Sequence, residues 1–200
     1  MNLPSQVALV TGANRGIGRA LVHALLKSGV KKVYATARSS DKLAQLPVDP
    51  RIVPLQVEVS DAASVAALAA AAADVTLLIN NAGVLDFGSV MDAPMAAFER
   101  NFATNFYGVL GMSRAFAPVI EKNGGGAIVN VLTLVALASM PGLGVYNASK
   151  AAAWSLTQSM RANLAGRNVA VYGVFPGAVD PDMLPASTCP RPAQPTSPMR

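Results

Sequence analysis

Six short apolar runs, rich in valine and isoleucine, recur along the chain: Val7–Val10, Val33–Ala37, Ile52–Val57, Val75–Ile79, Ala127–Leu132 and Val169–Phe175. They do not alternate with polar residues, so they read as strands buried on both faces, which requires a parallel sheet covered by helices. The segments between them carry helical spacing. Ile17, Ala20, Leu21, Ala24 and Leu25 recur at three and four residues. Asp61 is placed to cap an alanine-rich stretch reaching Ala73. Asp92 and Pro94 open a long helix toward Lys122, and a last helix runs from about Tyr146 to Ala165. Strand and helix in alternation build right-handed βαβ units and hence a doubly wound α/β sheet.

The 200 residues are 52% hydrophobic and 14% charged. That excludes a disordered solvating chain and suffices for one domain with its own core. A single cysteine, Cys189, and a single histidine, His23, exclude a disulfide framework, a four-thiolate zinc site and most triads with a histidine base, so no metal is expected. His23 sits in the first helix as a surface or semi-buried residue. The net charge of +5 is scattered; no basic run exceeds Lys31-Lys32, and no nucleic-acid motif is present, so no such partner is expected. Asn123–Ser149 is free of charge and long enough to span a bilayer, but Gly124, Gly125, Gly126, Asn130, Pro141, Gly142 and Gly144 interrupt it. With no cleavable leader at the start, the reading is a soluble, cytoplasmic protein without a membrane segment.

After the first strand stands Thr11-Gly12-Ala13-Asn14-Arg15-Gly16-Ile17-Gly18. A strand, a glycine-rich turn and a helix are the context of a dinucleotide loop: Gly12 for the turn, Gly16 for close approach of the pyrophosphate, Gly18 for helix packing, and the helix N-terminus for the anion. At the tip of the second strand an NAD-binding chain places an acid on the ribose 2′-hydroxyl. Here Arg38 stands there, with Arg15 in the loop. Two guanidinium groups suit a 2′-phosphate, which favours NADP(H).

Tyr146-Asn147-Ala148-Ser149-Lys150 puts a phenol and an ammonium four apart, on one helix face. A nearby cation stabilises the phenolate and lowers its pKa, giving an acid/base group for carbonyl–alcohol interconversion.

With these motifs the chain resembles the short-chain dehydrogenase/reductase family over residues 6–183. Thr11–Gly18 is similar to its cofactor loop, Asn80-Asn81-Ala82-Gly83 to its NNAG motif, Tyr146 and Lys150 to its YxxxK pair, and Phe175-Pro176-Gly177 to its PG motif. The resemblance implies a Rossmann-type, three-layer sheet of order 3-2-1-4-5-6. It implies that Tyr146 gives a proton to a substrate carbonyl while NADPH gives hydride. Lys150 would bind the nicotinamide ribose, and Asn105 would hold a relay water. Asn14, Ile17, Glu58, Val59, Asn81, Ala82, Gly83, Pro176, Gly177 and Val179 would touch the cofactor. The family's helices imply a homodimer, with Phe98, Phe102, Phe106, Trp154 and Met160 supplying apolar contact.

Three departures stand out. Thr133 occupies the position of the family's substrate-orienting serine, and its methyl stiffens χ1. Pro181 replaces a threonine. Six prolines after residue 180 mark 181–200 as an extended or disordered tail, leaving 1–180 as the dinucleotide-binding domain, with the family's lid and seventh strand expected to be missing. The expected activity is therefore an NADP(H)-dependent carbonyl reductase or alcohol dehydrogenase. The alternative is an NADP-binding relative, truncated or altered, with weak or no turnover. Leu85, Leu134, Met140 and Leu143 suggest an apolar wall for a small carbonyl or alcohol substrate.

Overall fold

The computed structural model describes residues 2–177. Val179, Pro181, Cys189 and the proline-rich segment 181–200 lie outside the described residues. Six parallel strands form one sheet in the order β3-β2-β1-β4-β5-β6. They are β1 (Val7–Val10), β2 (Lys32–Ala37), β3 (Ile52–Gln56), β4 (Leu77–Asn80), β5 (Gly126–Val131) and β6 (Val169–Val174). The helices are α1 (Gly16–Lys27), α2 (Ser40–Leu43), α3 (Ala62–Ala71), α4 (Met95–Phe102), α5 (Val109–Lys122) and α6 (Gly144–Leu164).

Successive strand residues point to opposite faces, so the sheet supports two cores. Ala8, Val10, Val33, Ile79 and Val131 pack with Val22 and Leu25 of α1 on one face. Leu9, Leu78 and Ile128 pack with Leu68 of α3, Phe116 and Ile120 of α5 and Leu164 of α6 on the other. These two cores make the three layers. Met160 is buried in the second core, where it packs within the chain itself.

The four central strands are buried on both faces, as the unbroken apolar runs require. The same reading fails at the two edges. β3 is nowhere fully buried, and β6 alternates, with Val169 and Val171 buried and Tyr172 and Val174 exposed. An edge strand has one wet flank, and it is also where Pro54 is tolerated, because a missing N–H costs least there. Asp61 caps α3 by accepting from the Ala63 and Ser64 amides at 3.2 and 3.0 Å.

The long helix expected from Pro94 to Lys122 is present but not uniform. Between α4 and α5 the segment Ala103–Gly108 is π-helical. Asn105, at its centre, has no exposed surface. Its amide donates to the Val84 carbonyl and the Ser149 hydroxyl, both at 2.9 Å, and its carbonyl accepts from the Val84 amide at 3.0 Å. Such local widenings of a helix cluster at functional sites. Below them, Asn80 donates to Asn130 at 2.9 Å and Ser113 at 3.2 Å, and Asn130 donates to Thr157 at 2.9 Å. This buried polar chain ties β4 and β5 to α5 and α6. The charge-free stretch 123–149 is spent on β5, a loop and the start of α6. Among the described residues no helix is long and apolar enough to cross a membrane.

Candidate active site

A cavity of about 950 Å³ opens above the carboxyl ends of the strands, where β1 and β4 part in opposite directions along the sheet. Ligands of open α/β sheets bind at such a switch point. Gly12, Asn14, Arg15, Gly16, Ile17, Gly18, Arg38, Glu58, Val59, Asn81, Ala82, Gly83, Thr133, Tyr146, Lys150, Pro176 and Gly177 all line it, as do Leu85, Leu134, Met140 and Leu143. The sequence places these residues up to 165 positions apart; the βαβ topology gathers them at one end of the sheet.

The glycine loop has the shape a phosphate requires. Gly12 and Gly16 have φ of +63° and +51°, where L side chains are strained. A Cβ on Gly18 would lie 2.2 Å from the Gly12 carbonyl oxygen and 2.5 Å from the Asn81 side-chain nitrogen, so the close approach is to the loop itself. The N-cap of α1 is Arg15, which makes no side-chain capping bond, so the first N–H groups of the helix face the cavity uncapped. Asn81 holds the loop by donating to the Thr11 and Gly12 carbonyls at 2.9 and 3.2 Å. Thr11 closes the clasp from the other side: its hydroxyl oxygen accepts from the Asn81 and Ala82 amides, both at 2.9 Å. Asn80 and Asn81 therefore do different work, one under the sheet end and one on the loop.

Arg15 and Arg38 stand at the same end of the cavity, joined by Lys42 of α2. None of the three belongs to an ion pair among the described residues. Glu58 is turned away from them, its carboxylate accepting from the Ser60 amide and hydroxyl at 3.1 and 2.7 Å. This end is net positive and suits a phosphate.

At the other end α6 presents Tyr146 and Lys150 one turn apart. Lys150 is 4% exposed; its ammonium donates to the Val131 carbonyl at 2.8 Å and lies 5.9 Å from the centre of the Tyr146 ring. Burial lowers the Lys150 pKa from 10.5 to about 8. Burial also pushes the Tyr146 phenol above its ordinary value, while the neighbouring Thr133 hydroxyl pulls it down. Lys150 is turned to a main-chain carbonyl and does not enter the phenol's shift; burial is the largest cause for both groups and pushes both toward their neutral forms.

The structure places Thr133 with Tyr146 as the spacing implied. Asn105, in contrast, does not line the cavity; its side chain is bonded to Val84 and Ser149. Its link to the site runs through Gly83. A Cβ there would lie 3.2 Å from the Asn105 carbonyl oxygen and 3.6 Å from the Lys150 ammonium.

Three contributors escaped the sequence reading. Lys42 lies on α2, a helix too short for periodicity to reveal. Thr11 and Ser149 sat inside quoted motifs, but a hydroxyl's partners depend on strands far away in the chain.

A family model described as short chain dehydrogenase matches residues 6–190. The carbonyl reductase (NADPH) 2 of Sus scrofa is 35% identical over 180 residues, spanning 90% of this chain and 74% of the relative. A solved short chain dehydrogenase from Burkholderia cenocepacia, in complex with NADP, is 41% identical with a TM-score of 0.89, covering 96% of this chain and 79% of that one. A Burkholderia phymatum member in complex with NAD is 28% identical with a TM-score of 0.83, covering 98% and 75%.

Proposed function

The chain belongs to the short-chain dehydrogenase family, and from that premise we propose that it is an NADP(H)-dependent oxidoreductase that reduces a carbonyl compound to an alcohol. The observation that carries the reading is the single cavity wall shared by the glycine loop, the Arg15–Arg38 pair and the Tyr146–Lys150 pair. The residues fit the dinucleotide. The left-handed loop with its uncapped helix start would hold the pyrophosphate, and the unpaired cations would hold a 2′-phosphate that an NAD-type acid would repel. The NADP complex of the 41% identical relative supports the same choice.

The cofactor, when bound, would supply the hydride. The chain's own groups handle the proton. A phenol held above its ordinary pKa is neutral at neutral pH, which makes Tyr146 a proton donor to the substrate oxygen. Thr133 would share that oxygen as a second donor. Lys150, one turn along α6 with its ammonium 5.9 Å from the Tyr146 ring centre, would place positive charge beside the phenolate once it has formed. The wall of Leu85, Leu134, Met140 and Leu143 favours an apolar substrate. We also propose a homodimer through the α4–α5 surface. There Phe102, Phe106 and Tyr107 stack with ring centres 6.2 and 5.0 Å apart. Trp154 is engaged elsewhere, edge-on to Phe175 at 4.9 Å.

The test is NADPH oxidation with a panel of ketones and aldehydes, run beside Tyr146→Phe. Turnover by the parent, its loss in the variant and retained NADPH binding by both support the reading. Tight NADPH binding without turnover of any carbonyl would favour a cofactor-binding role instead. Light scattering at micromolar concentration tests the dimer.

A further inference from the structure

The rim of the cavity beside Tyr146 is apolar well beyond the cavity itself. After Thr133 the chain makes a 3₁₀ turn, Leu134–Ala136. Residues three apart stack on one side of such a turn, which sets Leu134 and Leu137 in line. Leu134, Leu137 and Met140 are 54%, 58% and 54% exposed, although Leu134 and Met140 also line the cavity. Phe87, on the facing loop, lines the cavity and is exposed as well. Large apolar side chains left in water at the mouth of a site mark a surface that a ligand covers.

This surface is held, not loose. The Leu134 amide donates to the Pro176 carbonyl at 3.2 Å, and the Asn147 side chain donates to the Met140 carbonyl at 3.0 Å. The Gly88 amide donates to the Gly142 carbonyl at 2.9 Å, pinning the two loops together. It is also uncharged. No acidic or basic residue occurs from 123 to 149. On the facing loop Asp86 is already bound to Arg100 at 3.0 Å and Asn101 at 2.7 Å. An ionised group on the substrate would find no free opposite charge here.

Resting on the proposed reductase activity, we infer that the substrate is an elongated, uncharged aliphatic carbonyl compound, with its carbonyl at Tyr146 and its hydrocarbon tail laid along Leu134, Leu137 and Met140. The cavity takes the reacting end. The shelf takes the part of the tail that the cavity does not enclose, and a flexible methionine adapts to tails of differing length.

The experiment is a series of 2-alkanones from butanone to dodecanone with NADPH. A methylene fully removed from water gains about fourfold in affinity, and one that stays half wet gains about twofold. We expect kcat/KM to rise about twofold per added carbon, with the KM for NADPH unmoved. Leu137→Asp, at an exposed position, should flatten that slope, lowering dodecanone more than butanone. A CoA thioester should be a poor substrate. A flat or falling slope, or equal loss of butanone and dodecanone in the variant, overturns the inference and assigns the shelf to a protein surface. If no ketone turns over, the reductase reading fails. Calorimetric binding of the matching 2-alkanols to NADP⁺-loaded protein then decides the shelf: affinity rising with chain length supports it, and flat affinity overturns it.

Discussion

The Asn105 amide donates to the Ser149 hydroxyl across 2.9 Å, and that hydroxyl donates to the Tyr146 carbonyl at 2.8 Å. The π-helical segment is thereby bonded to the turn of α6 that carries the Tyr–Lys pair. Asn105→Ala would leave the part-buried Val84 amide and carbonyl without these partners. A fully buried unsatisfied group costs on the order of 1–3 kcal/mol; these two are part-buried, so urea unfolding should show a loss of about 1–3 kcal/mol for the pair, together with a lower kcat. A loss below about 0.5 kcal/mol would show that the segment is held by packing alone.

Lys150 predicts an unusual pH profile for stability. Its pKa is about 8 in the folded chain against an ordinary 10.5. Between those values the unfolded state binds more protons, so stability rises with pH across that window. Below about 8 both states are charged, and the cost of burying the ammonium is present in full. Lys150→Met should therefore be more stable than the parent at pH 7, with the gap closing toward pH 10. Tyr146, raised by burial, opposes the trend only above pH 10. Melting temperatures of both proteins at four pH values check it; a constant gap would mean that Lys150 titrates normally.

Arg38→Asp places an acid where the cavity now carries free cations. NADPH affinity should fall by about 10- to 100-fold, as for loss of a charge-assisted hydrogen bond, and the penalty on NADH should ease. Parallel fluorescence titrations with NADPH and NADH read both. An unchanged ratio would move the 2′-phosphate contact to Arg15 and Lys42.

The Thr133 hydroxyl neighbours the Tyr146 phenol, where the proposed reduction would use a second donor. Thr133→Ser keeps that donor and should turn over at a rate close to the parent. Thr133→Ala removes it, and loss of one such donor typically costs about 10²-fold in kcat. Steady-state kinetics on a single active ketone separates the three proteins. Equal rates for all of them would show that Thr133 plays no part in proton transfer.

The central strands were legible because burial on both faces leaves no polar residue to alternate. β3 and β6 misled for the same reason: Val53, Leu55, Tyr172 and Val174 are apolar yet sit at the sheet edges, and composition does not distinguish an edge from a centre. The site residues were legible where chemistry demands a local pattern, as in Gly12–Gly18 and Tyr146–Lys150. Asn105 was legible as a position, but its protein partners were not. Its partners Val84 and Ser149 are 21 and 44 residues away, and only the fold decides whether an amide meets protein or water. The upward push that burial gives the Tyr146 phenol has no signature in spacing.

The Thr11 clasp joins residues 70 and 71 positions apart in the chain, at the seam between β1 and β4 in the middle of the sheet. The Asn81 and Ala82 amides it engages sit at that seam, which no fraying of an edge strand opens. Their hydrogen exchange should thus be among the slowest in the molecule and should track global unfolding, although both lie on a loop beside an open cavity. A loop this protected is a preformed receptor, and ligand binding should slow its exchange only by stabilising the whole fold.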